Sequence, residues 1–166
     1  MYCTINDFVT QWKSEETATL KVFKCVSNEV LNKKVNEKLR SLGRLAWHIT
    51  QTLTEMPHKA GLVDEDKLDN VPIPKSISEI EKTYKQYSDE LLKEVEKRWK
   101  DNDLTGTIDV YGEQWERRKV LSVLVLHQVH HRGQMTAIMR MLGLKVPGIY
   151  GPSQEEWSEY GMPAME

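Results

Sequence analysis

Apolar residues return every three, four or seven positions along most of the chain, and the rhythm breaks only in a few polar or proline-bearing stretches. Phe8, Trp12, Thr19, Phe23 and Val26 mark the first stripe and predict an amphipathic helix over residues 5–28, opening near Thr4 or Asn6. The polar run from Asn32 to Lys38 reads as a connection. A second helix is expected from Ser41, a good N-cap, with Leu42, Leu45, Ala46, Ile49 and Leu53 on one face and Pro57 as its stop. Met56 to Lys75 holds three prolines and a glycine, which predicts a long connection of the kind that carries function. Ser76 followed by Glu79 has the form of a capping box, and Ile77, Ile80, Tyr84, Tyr87, Leu91 and Val95 carry a third helix to about Lys100. The Lys- and Glu-rich opposite face of that helix reads as solvated surface.

The helical period vanishes between Asp101 and Trp115, where Thr107 to Tyr111 followed by Gly112 predicts extended chain, a short hairpin over the end of the bundle. A fourth helix is predicted from Glu116 to Leu142, stopped by Gly143 and kept from resuming by Pro147. A short helix is expected at Ser153 to Tyr160, capped by Ser153. There is no internal repeat. Four amphipathic helices without a sheet to cover predict an all-α four-helix bundle with long connections.

The 166 residues fit one domain, 1–166, large enough to bury a core without staples. With 23 basic and 25 acidic side chains the formal net charge is -2, so nucleic acid is not the expected partner. The longest apolar run, Val120 to Leu126, is far below the roughly 20 residues that span a bilayer. The first residues lack the basic and apolar segments of a secretory signal, and the two cysteines, Cys3 and Cys25, form no Cys-x-x-Cys pair. A reducing cytoplasm is the expected location.

The candidate chemistry lies on the fourth helix. At about 100° per residue, His127 and His131 fall about 40° apart on the shoulder of the inward arc defined by Leu121, Leu124, Val125, Met135 and Met139. Two imidazoles one turn apart can grip one metal ion, and a catalytic site with a divalent ion usually takes three protein ligands plus an open position. The third must come from another helix. His48 is the best candidate because it lies mid-helix beside an apolar stripe, whereas His58 falls in the proline-containing connection. His130 points elsewhere and stays outside the ligand set. Arg132 and Gln134 are expected to orient the histidines as outer neighbours, with His130 beside them, and an inward Arg132 requires an acidic partner. Gly133 in mid-helix predicts close approach of a neighbouring helix or ligand. The methionines and tryptophans read as core, including Trp115, which with Tyr111 stands near the bundle end.

Leu42-Gly43-Arg44-Leu45-Ala46-Trp47-His48-Ile49, then His127-Gln128-Val129-His130-His131-Arg132-Gly133-Gln134, then Leu142-Gly143-Leu144-Lys145-Val146-Pro147 resemble the DinB family of the DinB/YfiT superfamily, in order and spacing over nearly the whole chain. The resemblance implies a four-helix bundle of the DinB/YfiT type holding a divalent metal, zinc or nickel, by three histidines that fall on His48, His127 and His131. It also implies activation of a low-molecular-weight thiol, as in transferases or isomerases, or hydrolysis, and homodimers.

Three functions follow as expectations. The first is a metal-dependent enzyme whose open coordination position activates water or a thiol toward a small-molecule substrate. The second is a non-catalytic metal-binding stress-response protein, which a fourth protein ligand would favour. The third is a metal-free bundle acting through protein partners. Asp109, Glu113 and Glu116 stand near the start of the fourth helix, but sequence alone assigns none of them as a general base.

Overall fold

The computed structural model describes residues 1–164. Helix α1 (Ile5–Lys24) opens on a capping box in which Thr4 Oγ1 accepts the Asp7 amide proton at 3.1 Å and the Asp7 carboxylate accepts that of Thr4 at 2.9 Å. It ends before the predicted residue 28. Ser27 and Asn28 turn the chain instead: the Ser27 carbonyl accepts from Val30, and the Asn28 side chain accepts the Ile77 amide proton at 2.9 Å.

Helix α2 (Leu42–Lys59) starts at Ser41, whose hydroxyl accepts the Arg44 amide proton at 3.2 Å. Pro57 does not stop it, which corrects the expectation from sequence. The proline falls in the last turn, where it removes a single intrahelical bond, its ring is buried, and its carbonyl closes the end by accepting from Leu62 at 2.8 Å. His58 therefore belongs to the helix, not to the connection that follows.

Helix α3 (Ile77–Arg98) forms half of the expected box, Ser76 Oγ accepting from Glu79 at 3.3 Å. Beyond a 3-10 turn at Asp101–Asp103, strands β1 (Thr107–Val110) and β2 (Glu113–Glu116) pair antiparallel, with Val110 opposite Glu113. Tyr111 and Gly112 join them with φ of 57° and 80°, the left-handed pair that matches strand twist. Helix α4 (Arg117–Met141) follows β2 without a side-chain cap. The carbonyls of Gly106 and Leu104 take that role, accepting from Arg117 and Arg118 at 3.1 and 3.0 Å. At its other end Gly143, with φ of 75°, donates to Arg140 and Leu144 donates to Met139, a Schellman closure. The tail forms only a 3-10 turn, Trp157–Tyr160, instead of the expected helix from Ser153. The Glu156 carboxylate accepts the amide protons of Gly148 and Ser153 at 2.9 and 3.1 Å, so it ties a loop together instead of opening a helix.

Helices α1 and α2 each pack against both α3 and α4, so α1 and α2 occupy one diagonal of the bundle and α3 and α4 the other. Chain order thus crosses the bundle between α1 and α2 and again between α3 and α4, which calls for long connections at both places. The arrangement also sets α2 directly beside α4. Gly43 permits close approach at the start of α2: its amide donates to the Leu31 carbonyl at 2.7 Å, and a Cβ there would meet Leu31 Cγ at 3.0 Å. Phe8, Trp12, Trp47, Ile49, Ile80 and Tyr84 fill the centre. No described helix is long and apolar enough to cross a membrane.

Candidate metal centre

Polar groups between the helices fix the rotation of α4. Gln128 is fully buried and its Oε1 accepts from Thr19 Oγ1 of α1 at 3.0 Å and from Tyr84 Oη of α3 at 2.6 Å. Four residues on, Arg132 is buried against α1, where its Nη2 meets the Glu15 carboxylate at 2.6 Å and its Nη1 donates to the Glu15 carbonyl and to Thr19. Tyr150 Oη closes this cluster on Glu15 and Arg132. The acidic partner that burial of Arg132 requires is therefore Glu15. The arginine does not orient the histidines, and every hydrogen bond it makes leads away from them; on a helix, residue 132 points about 100° from residue 131.

With that face of α4 turned to α1, the neighbouring face carries His127 and His131 toward α2, where His48 meets them. Ring centroids lie 4.9 Å apart for His48 and His127, 4.6 Å for His48 and His131, and 4.4 Å for His127 and His131. One nitrogen from each ring falls within 4.8 Å of the others, and among the described residues no cysteine, aspartate or glutamate joins the cluster. His127 Nε2 and His131 Nε2 are 3.1 Å apart. Two nitrogens at about 2.05 Å from one tetrahedral ion would stand about 3.3 Å apart, so the pair is already spaced for a shared cation.

The outer contacts of the rings differ. Gln134 Oε1, a pure acceptor, lies 2.8 Å from His131 Nδ1, which places the proton on Nδ1 and leaves the Nε2 lone pair facing the cluster. The Gln134 amide nitrogen reaches exposed His130 Nε2 at 3.1 Å, so His130 braces Gln134 and stays outside the three. His127 Nδ1 is buried with no partner, so that ring's polar contact is at Nε2, toward His131. Burial, followed by the charges of neighbouring histidines and of Arg40, pushes His48 and His127 down to about 4; Arg44 adds to the effect on His48. Burial lowers His131 as well, against the Gln134 hydrogen bond. All three are neutral donors near pH 7, as a metal requires.

Gly133 does not mark a close approach. It is exposed and a Cβ there would meet nothing within 4 Å, because that face of α4 is turned to solvent. His58 is not in the cluster either; its Nδ1 lies 3.4 Å from the Val63 carbonyl.

Two cavities reach the histidines. One, of about 490 Å³, runs from His48 past Arg44 and Gln51 to Glu55, His58 and Asp66. Glu55 accepts from Tyr111 Oη at 3.1 Å, so the hairpin holds this carboxylate through Tyr111, whose ring lies 6.0 Å from that of Trp115. The other, of about 390 Å³, lies between His131 of α4 and the stretch Lys38 to Arg40 that leads into α2. The acids near the start of α4 are engaged locally instead: Asp109 accepts from Gly112, Glu113 pairs with Lys119 and Glu116 with Arg118. Sequence reasoning missed Glu55, although its position seven residues after His48 on the same helix face was a usable signal.

Residues 1–163 match the DinB family. The protein YrdA of Bacillus subtilis strain 168 is 35% identical over 164 residues, covering 99% of this chain and 98% of its own. A crystal structure of a DinB-like protein from Bacillus cereus ATCC 10987 superposes with a TM-score of 0.81 at 34% identity, over 90% of this chain and all of that one. The DinB-like protein YjoA of Bacillus subtilis shares the fold, with a TM-score of 0.70 at 18% identity over 89% of this chain and 99% of its own. Fold, motifs and relatives agree, and the chain belongs to the DinB family.

Proposed function

We propose that this protein is a metal-dependent enzyme in which His48, His127 and His131 hold a divalent ion, zinc or nickel, and an open coordination position serves the chemistry. One observation carries the reading: three neutral imidazoles converge, no fourth side-chain ligand joins them among the described residues, and cavities lead to them from the surface. A closed structural site would supply four protein ligands. When bound, the ion lowers the pKa of a coordinated water or low-molecular-weight thiol toward neutrality and supplies a nucleophile for attack on an electrophilic small molecule. The chain's own groups do the rest. His48 comes from one helix and the other two histidines from its neighbour, so the pocket is rigid; Gln134 holds the His131 ring by its outer nitrogen. Glu55 shares the cavity of His48, is steadied by Tyr111, and is the group to which this reading assigns proton transfer.

The test is turnover by zinc- or nickel-loaded protein against small electrophiles with and without simple thiols, and against activated esters. Turnover that disappears in His48→Ala and falls in Glu55→Gln at unchanged metal content supports the proposal. Full metal occupancy with no turnover across the panel, and a melting temperature that collapses on chelation, would favour the non-catalytic metal-binding role instead.

A further inference from the structure

The cavity on the His131 side differs from the other in charge. Lys38 and Arg40 stand at its rim, Leu39, Ile138 and Met141 supply apolar wall, and no carboxylate lines it. Among the described residues neither Lys38 nor Arg40 makes an ion pair. Leu39 is 40% exposed and Met141 62% exposed, so two large apolar side chains face solvent at the same mouth. The cationic stretch is held in place from both sides: Ser41 caps α2 immediately after Arg40, and the approach at Gly43 docks the preceding connection on the helix.

These features define a complementary ligand. Resting on the three-histidine reading above, we propose that this cavity seats a small organic anion, its carboxylate or phosphate paired with Arg40 and its apolar part lying on Leu39, Ile138 and Met141. A bound dication would add to the field of Arg40 and Lys38, no carboxylate lines this cavity to offset them, and such a pocket concentrates anions. Arg40 and His131 line the same cavity, which sets the guanidinium beside the centre. Its planar guanidinium suits two-point pairing with carboxylate or phosphate.

The experiment uses cobalt-substituted protein, whose visible spectrum reports ligands at the open position, titrated with 3-mercaptopropionate and with 2-mercaptoethanol at low ionic strength. The expected result is about tenfold tighter binding of the anionic thiol, a preference that shrinks at high salt. In Arg40→Gln the preference falls to within about twofold while 2-mercaptoethanol binds as before, and Arg40→Lys retains more of it than Arg40→Gln. Acetate and inorganic phosphate as competitors identify which anionic group the rim favours. Equal affinity of the wild type for the two thiols, or a preference that survives in Arg40→Gln, overturns the inference while leaving the metal centre standing. Absence of cobalt binding, or of a spectral response to either thiol, overturns the reading on which it rests.

Discussion

Gln134 Oε1 lies 2.8 Å from His131 Nδ1, one helical turn along α4, and this contact decides which nitrogen of His131 faces the other two rings. Removing the acceptor frees the ring to rotate and to change tautomer. Gln134→Ala is therefore expected to weaken zinc affinity by about 10- to 100-fold with the fold intact, whereas Gln134→Glu keeps an acceptor and keeps the affinity. Competition with a chromophoric chelator measures both, and equal affinities for Gln134→Ala and wild type would remove Gln134 from the centre.

Arg132 and Glu15 form a buried ion pair, with side chains only 3% and 7% exposed. Arg132→Met leaves the Glu15 carboxylate buried without its cation and is expected to cost about 3–5 kcal/mol in urea unfolding. Arg132→Met with Glu15→Leu, which removes both charges, is expected to recover much of that. Metal affinity should hold in the double variant, because Arg132 makes no hydrogen bond to the histidines; a cost below about 1 kcal/mol for Arg132→Met alone would contradict this account.

The two helical glycines of the family-like segments predict opposite outcomes. Gly43→Ala drives a methyl group against Leu31 Cγ at 3.0 Å and the Leu31 carbonyl oxygen at 3.1 Å, and should destabilise by about 1–3 kcal/mol. Gly133→Ala meets nothing within 4 Å and should stabilise by about 0.5–1 kcal/mol through helix propensity. Denaturation midpoints of the two variants moving in the same direction would refute the packing described at α2.

Helices, caps and the histidine pair were legible in sequence because each rests on local physics: the 3.6-residue period, Ser41 and Ser76 at helix starts, and a four-residue spacing that aligns His127 with His131. Pro57 and Gly133 misled for a common reason. Their meaning depends on position within the helix and on what stands opposite, and neither is visible in a single chain. The same holds for Arg132, whose direction was set by Glu15 more than a hundred residues away. Lys38 read only as the end of a polar connection and Arg40 carried no signal of its own, and only the diagonal path from α1 to α2 brings them beside His131.

Acid should loosen the metal-free protein through these rings. His48 and His127 are held neutral down to about 4 in the folded chain, by burial first, whereas in the unfolded chain they take up protons near the reference value of about 6.5. Between those values the unfolded state binds more protons, so the stability these groups allow is complete above about 6.5 and is lost as pH falls toward 4. The urea midpoint of chelator-treated protein should drop between about pH 7 and pH 5, and the drop should shrink in His48→Asn with His127→Asn. An identical pH profile for that variant and the wild type would show that the rings are not shielded.

The central claim is that imidazoles from α2 and α4 share one ion, and elemental analysis of protein purified without a histidine tag or chelator tests it most directly, alongside His48→Ala. About one zinc or nickel per chain in the wild type and almost none in a folded His48→Ala variant is the predicted result. A wild-type chain that takes up no divalent metal on dialysis against zinc or nickel, or a His48→Ala variant that retains a full complement, would contradict it.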